Sequence, residues 1–384
     1  MPSVHDHPEH DELRRQVARF VAAEIEPHAL AWDEAGVTPR ELLRKMGALG
    51  WLGLMHPTEY GGGGADMLTN VVWQEALSRS TSGGAVITVL VHTDMASPHL
   101  VNAGTHAQKQ RWLPAICRGE CITAVAVTEP DAGSDVAAIR ARAVRDGDHY
   151  VINGSKLFIT NGVHADLLFV AAKSDPAAKG SRGISIFAVK RGTPGFRVGR
   201  ALKKQGWLAS DTAELVFENC RVPAANLLGE ENAGFYAVMK NFQVERIALG
   251  SMAIGHCLTA LDLTFRYVND RRAFGAPLWD KQAIRQKLAM LAAKVEAAQQ
   301  LLYHCAWLVD AKVDATREVS MLKALTGELV KEVMYACPQF QGGMGYMRET
   351  PIERLVRDAR VLAIGGGATE VMLEEVAKRW RVDA

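Results

Sequence analysis

The sequence predicts an α+β protein in which a β-rich segment is inserted between two helical ones. Three observations carry that prediction. Apolar residues recur every three or four positions from Asp11 to about Arg118, short β-rich runs fill Cys121 to Asn232, and long amphipathic patterns return from Ala233 onward. The expected units are therefore 1–120, 121–232 and 233–384.

In the first unit, Leu13, Val17, Phe20/Val21 and Ile25 mark one helical face, and Pro27 closes the run. Glu41 to Leu49, Leu68 to Ser80 and Ala107 to Leu113 read the same way, separated by breakers such as Glu59-Tyr-Gly-Gly-Gly-Gly-Ala65. In the second, the strand candidates are Ile122 to Thr128, Tyr150 to Asn153, Leu167 to Ala171, Ile184 to Val189 and Glu214 to Phe217, with turns at Asn153-Gly154, Asn161-Gly162 and Pro194-Gly195. In the third, breaks fall only near Phe274 to Pro277, Asp310 to Thr316 and Pro338 to Pro351, which predicts an antiparallel bundle of about four helices.

Composition excludes several classes. Of 384 residues, 48% are hydrophobic and 23% charged, ordinary for a globular chain of two or three domains. Forty-four Lys+Arg balance 43 Asp+Glu, so the footprint of a nucleic-acid binder is missing. The six cysteines form no C-x-x-C pair and read as reduced thiols. The polar, acidic start MPSVHDHPEHDELRRQ is unlike a targeting segment, and runs such as Ala85 to Val91 fall short of a bilayer span, so a cytoplasmic location without membrane contact is expected, a matrix form being the alternative. His5, Asp6, His7 and His10 cluster, but at a terminus expected to fray, and no metal motif occurs.

Four features can carry chemistry. Ala126-Val-Thr-Glu-Pro-Asp-Ala-Gly-Ser-Asp135 offers backbone N–H groups and the Ser134 hydroxyl to a polar ligand, although composition alone favours a plain β-turn. Asn153-Gly-Ser-Lys-Leu-Phe-Ile-Thr-Asn-Gly162 sets Phe158 near Thr160, which suits a stacked flat ring; a hairpin strand explains it nearly as well. The positions Val238, Phe242, Glu245, Leu249, Met252 and His256 advance by 4, 3, 4, 3 and 4 residues, so Glu245 stands on an apolar seam. Burial there raises a carboxylate's pKa and suits a general base, while pairing with Arg246 is the commoner fate of an interior acid. Finally, Gln339-Phe-Gln-Gly-Gly-Met-Gly345 and Ile364-Gly-Gly-Gly-Ala-Thr-Glu370 lie between helical stretches, where backbone amides can meet a pyrophosphate. Neither is a P-loop, no Rossmann fingerprint is present, and no G-x-S-x-G marks a serine hydrolase.

Together with Asp270-Arg-Arg-Ala-Phe-Gly275 and Arg357-Asp-Ala-Arg360, the segments Ala126 to Asp135, Lys156 to Gly162 and Gln339 to Gly345 make the chain resemble the acyl-CoA dehydrogenase family along essentially its whole length. The resemblance implies a helical domain, a β-barrel or sandwich domain and a four-helix bundle, assembled as a homotetramer with non-covalent FAD. Flavin contacts then fall on Val127, Thr128, Ser134, Phe158, Ile159 and Thr160, the family often having Trp where Phe158 stands. Pyrophosphate and adenine contacts, partly across a subunit interface, fall on Arg271, Phe274, Gln282, Gln339, Gly342 and Gly343, with Ala368 and Glu370 beside them. Acyl-CoA contacts fall on Ser134, Ser181, Arg182, Tyr236, Gln243, Arg246 and the backbone N–H of Gly366.

One departure matters. Many members carry the catalytic Glu at the position of Gly366, where no base can stand; the branch that resembles long-chain and isovaleryl-CoA dehydrogenases carries it before an Arg on the bundle helix. Asn241-Phe-Gln-Val-Glu-Arg246 fits that branch, as does Asp211-Thr-Ala-Glu-Leu215, so the resemblance makes Glu245 the base, with Glu370 and Glu129 as rival acids. It implies dehydrogenation of an acyl-CoA to the trans-2-enoyl-CoA, with electrons passed to an electron-transfer flavoprotein. An acyl-CoA oxidase, a flavin monooxygenase, a carrier-protein-linked dehydrogenase and a catalytically silent interaction protein share the fold as alternatives.

Overall fold

The computed structural model describes residues 7–178 and 180–380, so His5 and Asp6 lie outside the described residues. Seven helices come first: α1 (Pro8–Phe20), α2 (Ala29–Ala35), α3 (Arg40–Ala48), α4 (Met67–Leu77), α5 (Gly83–Leu90), α6 (Ser97–Ala103) and α7 (His106–Cys117). Local chemistry sets their starts. Asp66 accepts a hydrogen bond from the Thr69 amide at α4, and Thr105 and Gln108 cap α7 reciprocally. The first helix starts at Pro8, the His7 amide donates to His10 Nδ1, and His10 is buried against the Thr69 hydroxyl. Helices α5 and α6 are joined by a π-helical turn at Val91–Ala96; α5 and that turn, buried all round and without an amphipathic stripe, escaped the sequence reading.

The middle of the chain forms one mixed sheet from β1 (Thr123–Ala126), β2 (Arg142–Asp146), β3 (His149–Thr160), β4 (Leu167–Lys173), β5 (Ile184–Lys190), β6 (Phe196–Ala201), β7 (Thr212–Pro223) and β8 (Leu227–Leu228). Strand order is β6-β7-β3-β2-β4-β5-β8, with β1 added parallel to β4. Alternate residues of β4 feed two cores: Leu168 and Val170 pack with Ile152, Phe187 and Leu215, whereas Leu167 and Phe169 pack with Leu100, Leu113 and Ile186. Because both faces are covered, β4 and β5 are apolar apart from Ser185 and their terminal lysines. Strands β2 and β6 were not anticipated, since their residues are mostly exposed. Asn153 to Thr160, read as a loop or a hairpin strand, is the second half of β3, with register shifts against β7 at Ile152/Gly154 and Lys156/Ile159.

The last part holds α8 (Gly234–Asp270), α9 (Gln282–Asp310), α10 (Thr316–Gln341), α11 (Pro351–Ala359) and α12 (Thr369–Arg379). A two-stranded ribbon, β9 (Arg272–Ala273) with β10 (Ala276–Pro277), makes the expected break after α8. Pro338 does not break the chain as expected; α10 continues through it to Gln341. Helix α8 is, by length and composition, apolar enough to cross a bilayer, contrary to the sequence reading, but 72% of that window is buried inside the protein. One core unites α1, α4 and α5 with α8 to α11, while the first turns of α8, through Val238 and Phe242, pack on the sheet-side core. Helix α8 thus joins bundle to sheet, with Glu245 just past the junction.

Candidate active site

The turn after β1 is fixed from below by a buried ion pair. Lys156 on β3 is fully buried, and its ammonium donates to the Val127 carbonyl at 2.9 Å and the Glu129 carboxylate at 2.7 Å. Glu129 also accepts from the Arg140 and Ala141 amides, at 2.6 and 3.0 Å. The Thr128 carbonyl accepts from the Leu157 amide, which clamps the turn onto β3. Burial pulls the Lys156 pKa down to about 8, with Glu129 opposing. Glu129 thus accepts from three donors that belong to the turn and its supporting strand. Parity along β3 could have revealed Lys156: it shares the buried register of Tyr150 and Ile152.

Above this clamp, Ser134 is exposed, Thr128 and Thr160 are half-buried, and Val127 and Ile159 are buried. Phe158 has φ of 61° and is 65% exposed. A bulky side chain in the left-handed region is strained and is retained where the backbone must aim it.

Glu245 occupies the interior predicted for it, 7% exposed, and burial pushes its pKa up to about 7; a hydrogen bond from Asn241 and the charge of Arg246 oppose the rise. Arg246 does not neutralise it by a direct ion pair among the described residues; its guanidinium stacks on the Phe242 ring at 5.7 Å. Four residues beyond Glu245, Leu249 meets the glycine loop between α11 and α12. There a Cβ on Gly366 would lie 2.1 Å from Leu249 Cδ1, and one on Gly367 would lie 3.5 Å from Arg246 Nε. The fold thus sets the glycine loop against the stretch of α8 that holds Arg246 and Leu249, directly after Glu245 in the chain. Lys323 of α10, absent from the sequence reading, holds this loop by donating to the Leu362 and Gly367 carbonyls at 2.7 and 2.9 Å. Ala368 caps α12, and Glu370 is exposed in its first turn.

The remaining residues divide into two groups. Arg271, Phe274 and Gln282 lie on the β9–β10 ribbon and the start of α9, and Gln339, Gly342 and Gly343 at the end of α10. Gln341 ties these ends together by donating to Thr264 of α8 at 3.1 Å. Phe274 stands at the ribbon's tip with φ of 52° and 96% exposure; around Gly342 and Gly343, space is open on the side a Cβ would take. Ser181 and Arg182 lie in the β4–β5 connection, and Arg182 lines a cleft of about 530 Å³ with Asp175 and Asn232, next to the start of α8 where Tyr236 is exposed. Gln243 instead donates to the Thr316 hydroxyl at 2.7 Å and so bonds α8 to α10.

Comparison with known proteins adds three matches along the chain: acyl-CoA dehydrogenase N-terminal domain over residues 7–120, middle domain over 124–220 and C-terminal domain over 232–380. The mouse (Mus musculus) mitochondrial long-chain specific acyl-CoA dehydrogenase is 41% identical over 374 residues, 97% of this chain and 86% of that protein. The mitochondrial isovaleryl-CoA dehydrogenase of Pongo abelii is 37% identical, covering 98% and 89%. Among solved structures, a chain in that of the electron transferring flavoprotein of Acidaminococcus fermentans superposes with TM-score 0.96 at 35% identity, covering 100% of both chains.

Proposed function

The chain belongs to the acyl-CoA dehydrogenase family, and from that premise we propose that it converts an acyl-CoA thioester to the trans-2-enoyl-CoA, using FAD and passing electrons to an electron-transfer flavoprotein. The observation that carries this reading is Glu245: a carboxylate in the interior of α8, near the glycine loop, pushed up to about 7. A base of that pKa is half ionised near neutral pH and binds a proton better than an ordinary carboxylate.

The residues fit a flavin. Phe158 and Phe274 present exposed aromatic faces from left-handed backbone positions, which suits stacking on flat rings. Ser134 and Thr160 offer hydroxyls, Arg271 a guanidinium for a pyrophosphate, and Gln282 and Gln339 amide donors. A homotetramer in which neighbouring subunits complete each other's site is part of the same proposal and rests on the family membership.

Bound FAD supplies the two-electron acceptor for the β-hydrogen, which leaves as hydride. Glu245 takes the α-proton, and the substrate's Cα–Cβ bond becomes double. The Gly366 N–H, held by Lys323 through the adjoining carbonyl, donates to the thioester oxygen as negative charge gathers on it. The apolar walls around Leu249 and Met252 exclude water from the carbanion-like transition state. Arg182, Tyr236 and Arg246 are proposed to meet the CoA moiety.

The test is a panel of acyl-CoA thioesters mixed anaerobically with the flavin-loaded protein and its Glu245→Gln variant. Wild-type flavin should bleach with one or more of them and the variant's should not, both proteins being equally yellow. Bleaching of the variant at the wild-type rate would remove Glu245 from the mechanism.

A further inference from the structure

The geometry around Glu245 points to Asn241 as a positioning residue for the base: its amide, locked in orientation by the Met95 carbonyl, serves only as a donor to Glu245 and so favours the ionised, proton-accepting form. This rests on the reading of Glu245 as the base.

Asn241 lies one helical turn before Glu245, on the same face of α8, and is 1% exposed. Its Nδ2 donates to the Met95 carbonyl at 2.9 Å and to Glu245 Oε1 at 3.2 Å. Met95 belongs to the π-helical turn between α5 and α6, so one side chain ties the N-terminal helices to the base. A backbone carbonyl is an acceptor only, as is an ionised carboxylate. Flipping the amide would set Oδ1 against the Met95 oxygen, so that carbonyl dictates which end of the amide faces Glu245. The cost is visible: Asn241 Oδ1 is a buried acceptor without a partner. An unsatisfied buried atom calls for an explanation, and holding the opposite end of the amide toward the base provides one.

The other charged groups around Glu245 do not duplicate this role. Arg246 follows it on α8 and lowers its pKa through space, without a direct contact. On α12, Glu375 and Arg379 act on Arg246 with opposite signs. Lys323 on α10 is spent on the Leu362 and Gly367 carbonyls. Asp94, beside Met95, accepts from Asn70, Gln74 and Thr93. Asn241 alone donates directly to the base among the described residues.

The experiment titrates the carboxyl itself. In the flavin-loaded, substrate-free protein, the infrared carboxyl band that is missing from Glu245→Gln reports the protonation of Glu245. Asn241→Leu removes the donor without adding a charge; Asn241→Val, also uncharged and smaller, serves should the Leu variant fail to fold. A donor to the charged form lowers an acid's pKa, so its loss raises it: either variant should move the band's midpoint up by about one pH unit or more, a tenfold gain in proton affinity. The rate of flavin reduction by octanoyl-CoA or isovaleryl-CoA, whichever the wild type oxidises faster, should fall about fivefold or more at pH 7 and recover by about pH 9. An unshifted band and rate profile in the Asn241 variants, with Glu245→Gln inactive, overturns the inference alone. Wild-type turnover by Glu245→Gln overturns the reading beneath it.

Discussion

Gly366 and Leu249 face each other across the seam between the glycine loop and α8 so closely that a methyl group on residue 366 would overlap the leucine, 2.1 Å from its Cδ1. Gly366 also has φ of 63°, which costs any other residue strain. Gly366→Ala should therefore lower stability by about 1 to 3 kcal/mol. Adding Leu249→Ala should relieve the overlap but not the backbone strain, so Gly366→Ala should cost less in a Leu249→Ala background than alone. Urea unfolding of the four proteins in this double-mutant cycle measures the difference.

Glu245 predicts an unusual dependence of stability on pH. Its folded pKa of about 7 lies above the unfolded value near 4.5, so between those limits the native state binds the extra proton. Its contribution to stability is thus fully present below about pH 4.5 and is lost as pH rises through about 7. Glu245→Gln, which cannot ionise, should be more stable than wild type at pH 8, by up to about 3 kcal/mol, and the gap should close toward pH 5. Thermal melts across that range check the sign; equal melting at pH 8 would show that the carboxylate is not desolvated.

How much of this was legible beforehand follows from the physics of each residue. Glu245 could be found because helical periodicity is local: five neighbours on α8 define the seam it breaks. Asn241 could not, because its meaning comes from the Met95 carbonyl, 146 residues away in sequence. Lys323 looks like a solvated charge in a sequence and Lys156 is betrayed only by strand parity, yet both are buried, each donating to backbone carbonyls in the interior. Strands β2 and β6 were missed for the opposite reason: their pairing is through the backbone, and arginines such as Arg142, Arg145, Arg197 and Arg200 occupy their exposed positions.

The Lys156–Glu129 pair should behave as a buried support. Lys156→Met strands a carboxylate in the interior, which typically costs about 3 to 5 kcal/mol, and should reduce flavin retention because the turn carrying Thr128 and Ser134 loses its anchor. Adding Glu129→Gln should recover part of the stability. Glu129→Gln by itself should still let substrate bleach the flavin, since that carboxylate holds the turn and takes no proton from substrate; loss of bleaching with the flavin retained would contradict this.

Lys323 offers a test of the loop separate from the base. Its ammonium reaches the Leu362 and Gly367 carbonyls on either side of Gly366, and burial first, then Arg246, draws its pKa down to about 8. Lys323→Met leaves both carbonyls without this donor and lets the Gly366 N–H drift from its aim. A displacement of about 1 Å is enough for a hundredfold loss of rate. Reduction, measured per bound flavin, should therefore slow about 10- to 100-fold. Deprotonation should not imitate the mutation. A neutral amine keeps two N–H groups, one for each carbonyl, so in the wild type the loop should hold its shape above pH 8. A wild-type reduction rate that stays level from pH 8 to pH 9.5, beside a Met variant slow at every pH, supports the anchoring role; a Met variant as fast as wild type shows that the loop stands without it.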